Sequence, residues 1–270
     1  MKNYTIISYT TPQPSLLTLS ESRSSYMLPF AGRFRVVDFT MRNAISSGAS
    51  KIILYNSTKD SLKNYIKKYR STSENNPFDI EIINNKLSNL QYFQEHIGED
   101  ESSFYIIVNG DIATVTNMKI LADDFKKSKT DKLLYQLVVN DRPSMAYKIL
   151  FIKKRALIST IKKAVKLHKD TPNIFEMFHN ILINSGIKTR GFRAIYWPVR
   201  TINDYYNMHW DIIWDKKIFD MLFKEKVIKS EIKSTGFAHI GDMGKITDSF
   251  ISDYCFINGT IENSIIYPGV

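Results

Sequence analysis

The sequence predicts an α/β protein: a mostly parallel sheet covered by helices over residues 1–240, then a short all-β segment over 241–270. Three observations carry this. Short apolar runs alternate with stretches of helical spacing, the pattern of a parallel sheet buried on both faces. The 270 residues, 43% hydrophobic and 13% aromatic, suffice for one large core and exclude a disordered chain. The last thirty residues lose the helical period.

Taken in order, strands are expected at residues 4–8, 51–55, 104–108, 132–139, 147–152 and 192–197. In the run 28–48, Pro29 and Gly32 make a turn, and Phe34, Val36 and Val37 follow. From Asp38 the apolar residues Phe39, Met41, Ala44 and Ile45 take helical spacing, and Gly48 suits a left-handed cap. Ser57 or Thr58 can cap a helix carrying Leu62, Tyr65, Ile66 and Tyr69. Further helices are expected at 87–97, 117–127, 154–167, 174–183 and 201–223, and 71–79 reads as a loop. Along 201–223 the aromatics Tyr205, Tyr206, Trp210, Trp214, Phe219 and Phe223 are expected in the core, with a subunit contact as the other reading.

Composition narrows the function classes. A single cysteine, Cys255, rules out an internal disulfide framework and a cysteine metal cluster. The N-terminal apolar run is too short for a signal peptide and nothing reaches transmembrane length, so a cytoplasmic protein without a membrane partner is expected. The net charge is +10, densest at 153–169, where Leu157, Ile158, Ile161, Ala164 and Val165 interleave the basic residues at helical spacing. That stretch reads as a helix with a solvated lysine face; a nucleic-acid or other polyanion patch is the minority reading. His96, His168, His179, His209 and His239 are dispersed, and His209 is expected to pack beside Trp210. No Gly-x-Ser-x-Gly elbow offers a serine nucleophile.

Near the end, Ile246, Ile251, Ile257, Ile261 and Ile265 or Ile266 recur at four to six residues, with Ser249, Ser252, Asn258, Gly259 and Asn263 between them. The spacing alone fits equally the first coils of a hexapeptide-type β-helix or a β-meander. It stops in mid-pattern at Pro268-Gly269-Val270, so a truncated or shortened chain is expected.

Four blocks in register, and a fifth with local drift, resemble the ADP-glucose pyrophosphorylase (glucose-1-phosphate adenylyltransferase) family. Leu-Pro-Phe-Ala-Gly-Arg-Phe-Arg-Val-Val-Asp-Phe within 28–48 is similar to the family's Pro-Phe-Gly-Gly-Lys-Tyr-Arg-Leu-Ile-Asp-Phe. Residues 106–111, Ile-Ile-Val-Asn-Gly-Asp, resemble its strand ending in Gly-Asp, and 201–211 its Thr-Ile-x-x-Tyr-Tyr helix. Residues 261–270 resemble its entry into a left-handed β-helix, and 144–149 a drifted Ser-Met-x-Ile-Tyr block. The resemblance implies a Rossmann-like nucleotidyltransferase domain over 1–240 and the first β-helix coils over 241–270.

It also implies a site that has lost its chemistry. The family's Gly-Gly-x-Gly-Thr-Arg-Leu loop, which cradles a triphosphate, falls here on Thr10, Thr11, Pro12, Gln13, Pro14, Ser15 and Leu16. Prolines lack the N–H that binds phosphate, and Ser15 replaces the arginine that neutralises the transferred phosphorus. The family's next lysine falls on Ser25, with Arg23 retained. Its Mg²⁺ lies between two aspartates: the first matches Asp111, the second falls on Pro198. Asp111 alone is a poor Mg²⁺ site and reads more readily as a turn residue. The Glu-Lys-Pro lysine for sugar phosphate and the nucleotide-reading Gly-Thr-Ala segment have no counterpart. No catalytic residue is therefore expected at Ser15, Ser25 or Pro198. A remnant phosphate pocket would be Phe30, Gly32, Arg33, Arg35 and Gly110, with no cofactor, or Mg²⁺ if activity persists. A glycogen-pathway subunit of the family lacks the glycine loop and reads Arg-Pro-x-Ala-Ser-Leu-Pro-Phe-Gly-Gly-Arg-Tyr-Arg, close to Arg23 and 28–35 here. The implied function is that of a catalytically impaired regulatory subunit, partnered by a catalytic homologue or by itself. The alternatives are an active transferase using Asp111, Arg33 and Arg35 in a rearranged pocket, and a polyanion-binding protein.

Overall fold

The computed structural model describes residues 3–56, 58, 61–71, 78–84, 90–167, 186–225, 227–228 and 236–270. The chain opens with β1 (Tyr4–Tyr9) and a 3₁₀ turn Pro14–Leu19. A small hairpin, β2 (Pro29–Phe30) and β3 (Phe34–Arg35), leads into α1 (Val36–Ser47). Then come β4 (Lys51–Asn56), α2 (Leu62–Ser71), β5 (Asp79–Asn84), α3 (Leu90–Glu99) and β6 (Phe104–Asn109). They are followed by β7 (Ile112–Val115), α4 (Met118–Lys127), β8 (Lys132–Val139), β9 (Arg142–Lys153) and α5 (Lys154–Leu167). After β10 (Thr189–Phe192) and β11 (Ile195–Pro198) the chain forms α6 (Ile202–Trp214), α7 (Lys216–Phe219) and a π turn at Asp220–Lys224.

Seven strands make one sheet in the order β10-β8-β9-β6-β1-β4-β5. β1, β4, β5 and β6 run parallel, and β9 is antiparallel to both β6 and β8. Alternate residues along each strand feed opposite faces, as the pleat requires. Ile6, Ile52, Ile106 and Phe151 meet Val37, Met41, Leu62, Ile66 and Phe125 of α1, α2 and α4. Ile7, Ile53, Ile107 and Leu150 meet Ile97, Leu157 and Ile161 of α3 and α5. The result is a helix–sheet–helix sandwich, as expected. A third apolar cluster joins Leu28, Phe30, Phe34 and Phe39 to Trp197, Met208 and Ile212, so α6 closes over the β2–β3 turn.

Four expectations need correction. The run 192–197 is two strands, β10 in the main sheet and β11 paired antiparallel to β7. Helix 201–223 breaks at Asp215, whose φ of −96° and ψ of 99° are extended, and whose carboxylate caps the N–H groups of Lys217 and Ile218. Strands β5 and β7 come from stretches with no expected strand, and 71–79 contributes the first residue of β5. The six aromatics of 201–223 divide: Tyr205, Phe219 and Phe223 pack on the third cluster, whereas Tyr206, Trp210 and Trp214 are exposed. Helix 174–183 lies outside the described residues.

In the basic stretch, Lys153 Nζ and Arg155 Nη2 both hold Asp131, at 3.0 and 2.8 Å, and Lys154 Nζ donates to the carbonyls of Gly98 and Asp100. These cations serve the fold locally. The last segment holds six short strands: β12 (His239–Ile240), β13 (Lys245–Thr247), β14 (Phe250–Ile251), β15 (Phe256–Ile257), β16 (Thr260–Glu262) and β17 (Ile265–Ile266). They pair in parallel as β12–β15, β13–β16 and β14–β17. Parallel pairing of strands three apart in the chain excludes a simple meander, whose successive strands pair antiparallel.

Candidate active-site cleft

In an open α/β sheet ligands gather at the carboxyl ends of the strands, where the chain leaves in opposite directions. Here that place is the end of β1, flanked by β6 on one side and β4 on the other. The chain segments meeting there are Thr10-Thr11 after β1 and Gly110-Asp111 after β6.

Asp111 is fully buried. Its Oδ2 accepts the Thr11 N–H at 3.1 Å, the Thr11 hydroxyl at 2.8 Å and the Gln13 side-chain amide at 3.1 Å. Gln13 Nε2 also donates to Thr11 Oγ1 at 2.6 Å, tying the loop to itself. Burial raises the carboxyl to about 6; the donors of Thr11, the Ser25 hydroxyl and the charge of Arg200 restrain the rise. The loop after β1 thus turns its own donors inward onto this carboxylate. Pro12 and Pro14 offer no N–H, and from Pro14 the chain enters a 3₁₀ turn in which Leu17 adopts a φ of 49°.

Pro198 closes the other side. It pairs with Ile112 in the β7–β11 ladder, and the next residue, Val199, donates its N–H to the Asp111 carbonyl at 2.9 Å. The structure therefore brings Asp111 and Pro198, the two residues that the resemblance aligns with metal-binding aspartates, close together, and Pro198 has no carboxylate. Among the described residues no group of three or more His, Cys, Asp or Glu is arranged to hold a metal ion.

The other sequence candidates fall around this centre. Gly110 lies under the ring of Tyr26, which is fully buried and donates its hydroxyl to Ser8 Oγ at 2.8 Å. A side chain at 110 would overlap that ring, so glycine here makes room for tyrosine. Ser25 is buried and Ser15 is exposed. Phe30 is a core residue, its ring 5.0 Å from Phe39 and 5.3 Å from Trp197. Gly32, at φ +65°, lies beneath Ser252 and Phe250 of the C-terminal segment. Arg33 is half-buried; Arg35 donates to the Met27 carbonyl at 2.6 Å and lies 5.7 Å from the Tyr65 ring centroid. Outside Asp111 opens a cleft of about 380 Å³, bordered by Gln13, Pro14, Glu21, Arg23, Ser24 and Thr58. Arg23 is the single cation among the described residues lining it.

Sequence reading missed Thr11, Gln13 and Tyr26 as the groups that fill this centre. The available signal was chemical: two threonines and a glutamine, all donors, standing where glycines were expected.

The profile of the nucleotidyl transferase family matches residues 15–163, more than half of the chain. The chain belongs to the nucleotidyl transferase family. Among curated proteins, this family member is 22% identical to the glucose-1-phosphate adenylyltransferase of Mycoplasma mobile, across 94% of its own length and 78% of the relative's. It is 23% identical to that of Koribacter versatilis, across 94% and 76%, and 19% identical to that of Bacillus mycoides, across 94% and 80%. Among the described residues no helix of this family member is long and apolar enough to cross a membrane.

Proposed function

We propose that the chain is a catalytically impaired, regulatory-type subunit of the glucose-1-phosphate adenylyltransferase class. It acts in glycogen biosynthesis by associating with a catalytic homologue or with itself. One observation supports this reading: Oδ2 of the buried Asp111 carboxylate accepts three hydrogen bonds from Thr11 and Gln13, and the residue that the resemblance aligns with the second metal-binding aspartate is Pro198. A divalent cation needs deprotonated, accessible oxygens from several ligands, and this donor set does not fit one. The subunit works without a bound metal. In the same reading residues 1–240 form the nucleotidyltransferase-like domain, and the three parallel strand pairs support the first coils of a left-handed β-helix in 241–270.

The test is pyrophosphate release from ATP and glucose-1-phosphate with Mg²⁺ present. The purified chain is assayed alone, then mixed with a catalytic glucose-1-phosphate adenylyltransferase. The chain alone is expected to give the background rate, and the mixture to change the partner's KM or kcat. Turnover by the chain alone at the partner's rate would overturn the reading. Arg23 on the cleft favours the second reading, an active transferase with a rearranged pocket; there Arg23→Ala would abolish that turnover.

A further inference from the structure

His209 of α6 stands, partly buried, in the joint between the α/β body and the C-terminal strands. Its Nδ1 faces the Tyr205 carbonyl at 2.7 Å, and its Nε2 faces the Tyr267 hydroxyl at 2.5 Å. A carbonyl only accepts, so Nδ1 carries the ring proton and Nε2 accepts from the hydroxyl. Tyr267 follows β17, whereas Tyr205 donates its own hydroxyl proton to the Pro29 carbonyl of the hairpin at 2.7 Å. The Phe30 ring packs edge-on against the imidazole, 5.7 Å between centroids. Uncharged His209 is thus the acceptor on the body for a hydroxyl of the strands.

A second proton on the ring undoes this contact. Nε2 becomes a donor, and the Tyr267 proton that pointed at it must turn away. Tyr205 Oη, at 3.4 Å, is a long and weak alternative acceptor. The new charge also meets the wrong neighbours. Arg23 and Arg35 act on the Tyr205 hydroxyl and Arg35 on that of Tyr267, so the charged groups around the joint are positive. On the same helix, Asp211 is held by Trp197 Nε1 at 3.0 Å, and Asp204 caps the helix start. Burial accordingly keeps the imidazole below its ordinary value of 6.5, a fall that the Tyr205 carbonyl restrains.

We propose that His209 is a proton-operated latch: uncharged, it holds the C-terminal strands on the signature turn, and when it takes up a proton the strands release. The direction follows from linkage. Well above pH 6.5 the imidazole is neutral in the closed and the open joint alike, and the latch holds fully. As pH falls below 6.5, the released imidazole binds its proton more readily than the enclosed one, so the open joint gains. Asp111 responds in the opposite sense and lies in the sheet body, so the two effects separate. The inference does not rest on the regulatory reading above, because its test uses the chain alone.

The single cysteine of the chain reports on the joint. Cys255 is 2% exposed, and its Sγ donates to the Tyr267 carbonyl at 3.2 Å. Its rate of reaction with a dipyridyl disulfide, divided by the rate in urea at the same pH, measures local opening free of thiol ionisation. From about pH 7.5 to about pH 5 this ratio should rise at least about threefold in the parent chain, while the far-UV circular dichroism stays native. It should stay level in His209→Gln, whose side chain keeps a donor and an acceptor but takes up no proton. Asp111→Asn should keep the full rise. Tyr267→Phe, which removes the hydroxyl and keeps the ring, should already react faster at pH 7.5 and gain less on acidification. A level ratio in the parent, a rise matched by loss of the dichroism signal, or an equal rise in His209→Gln would each overturn the proposal. Should His209→Gln fail to fold, Tyr267→Phe decides, and a rise as large as the parent's overturns it.

Discussion

Asp111 shows how one residue keeps a family position while its surroundings change its meaning. Its carboxyl is raised from 3.8 to about 6, with burial the leading cause. A raised carboxyl binds its proton more tightly in the folded chain. Its contribution is therefore undiminished below about pH 4, declines as pH rises toward 6, and stays at its reduced level above that. A shift of about two units corresponds to about 3 kcal/mol at neutral pH. Asp111→Asn, which cannot ionise, should remove this decline: its stability relative to the parent, from urea unfolding, should rise by about 2–3 kcal/mol between pH 4 and 7. Parallel curves for the two proteins would refute the assignment. Thr11→Val keeps the shape but removes a hydroxyl donor 2.8 Å from the carboxylate. It should cost about 1–3 kcal/mol, more above pH 6 than below, and less in the Asp111→Asn background, where the acceptor is uncharged. None of this was legible from position 111 alone, because Thr11 and Gln13 lie about a hundred residues away and no periodicity links them. The loss of phosphate-binding chemistry was legible, since prolines and missing cations are properties of the residues themselves.

Among the elements, legibility followed the strength of the periodic signal. β8 and α5 were readable to the residue, because each carries an uninterrupted apolar pattern bounded by charged or turn residues. In α1 the start was misplaced by two residues. Asp38 is not its first residue but its third, reaching back to the Arg35 N–H at 2.9 Å and accepting the Tyr65 hydroxyl at 2.8 Å. β7 is four residues long and has no alternation to detect, and its partner β11 was fused with β10 because the bend at Arg193-Ala194 leaves no mark in hydropathy. The exposed side of α6 escaped for a related reason: an aromatic every fourth residue reads as core whether or not a neighbour exists to cover it. The start of that helix is set by local chemistry alone. Thr201 Oγ1 accepts the Asp204 N–H at 3.0 Å while Asp204 accepts the Thr201 N–H, a reciprocal cap. Thr201→Ala should cost about 1 kcal/mol in urea unfolding, and Thr201→Ser should restore most of it. Equal loss in both variants would place the stabilisation elsewhere.

At the scale of the whole molecule, the signature turn at residues 29–35 is where the α/β body and the C-terminal strands meet. Tyr205 of α6 donates to the Pro29 carbonyl at 2.7 Å, and the Tyr267 hydroxyl reaches both Tyr205 and the ring of His209. Burial pushes the His209 imidazole down, so it sits there neutral, with Nδ1 against the Tyr205 carbonyl at 2.7 Å. The Phe250 ring packs at a tilt 4.8 Å from Phe223, and Ser252 Oγ donates to the Gly32 carbonyl at 3.3 Å. Gly32 is thus needed twice, for its φ of +65° and for the close approach of Ser252 and Phe250. Gly32→Ala forces a methyl group into Ser252 Oγ and to within 2.9 Å of the Phe250 ring. The strained φ and the overpacking together should cost at least about 2 kcal/mol. Because the overlap falls on the C-terminal strands, they should loosen first: limited proteolysis should cut within 236–270 before the sheet core, and Asp111 should keep its pH response. Ser252→Gly removes half of the obstruction and should recover part of the loss in the double variant. Uniform destabilisation, with cleavage spread along the chain and no recovery from Ser252→Gly, would mean that the turn acts only through α1 and that the C-terminal strands are held by other contacts.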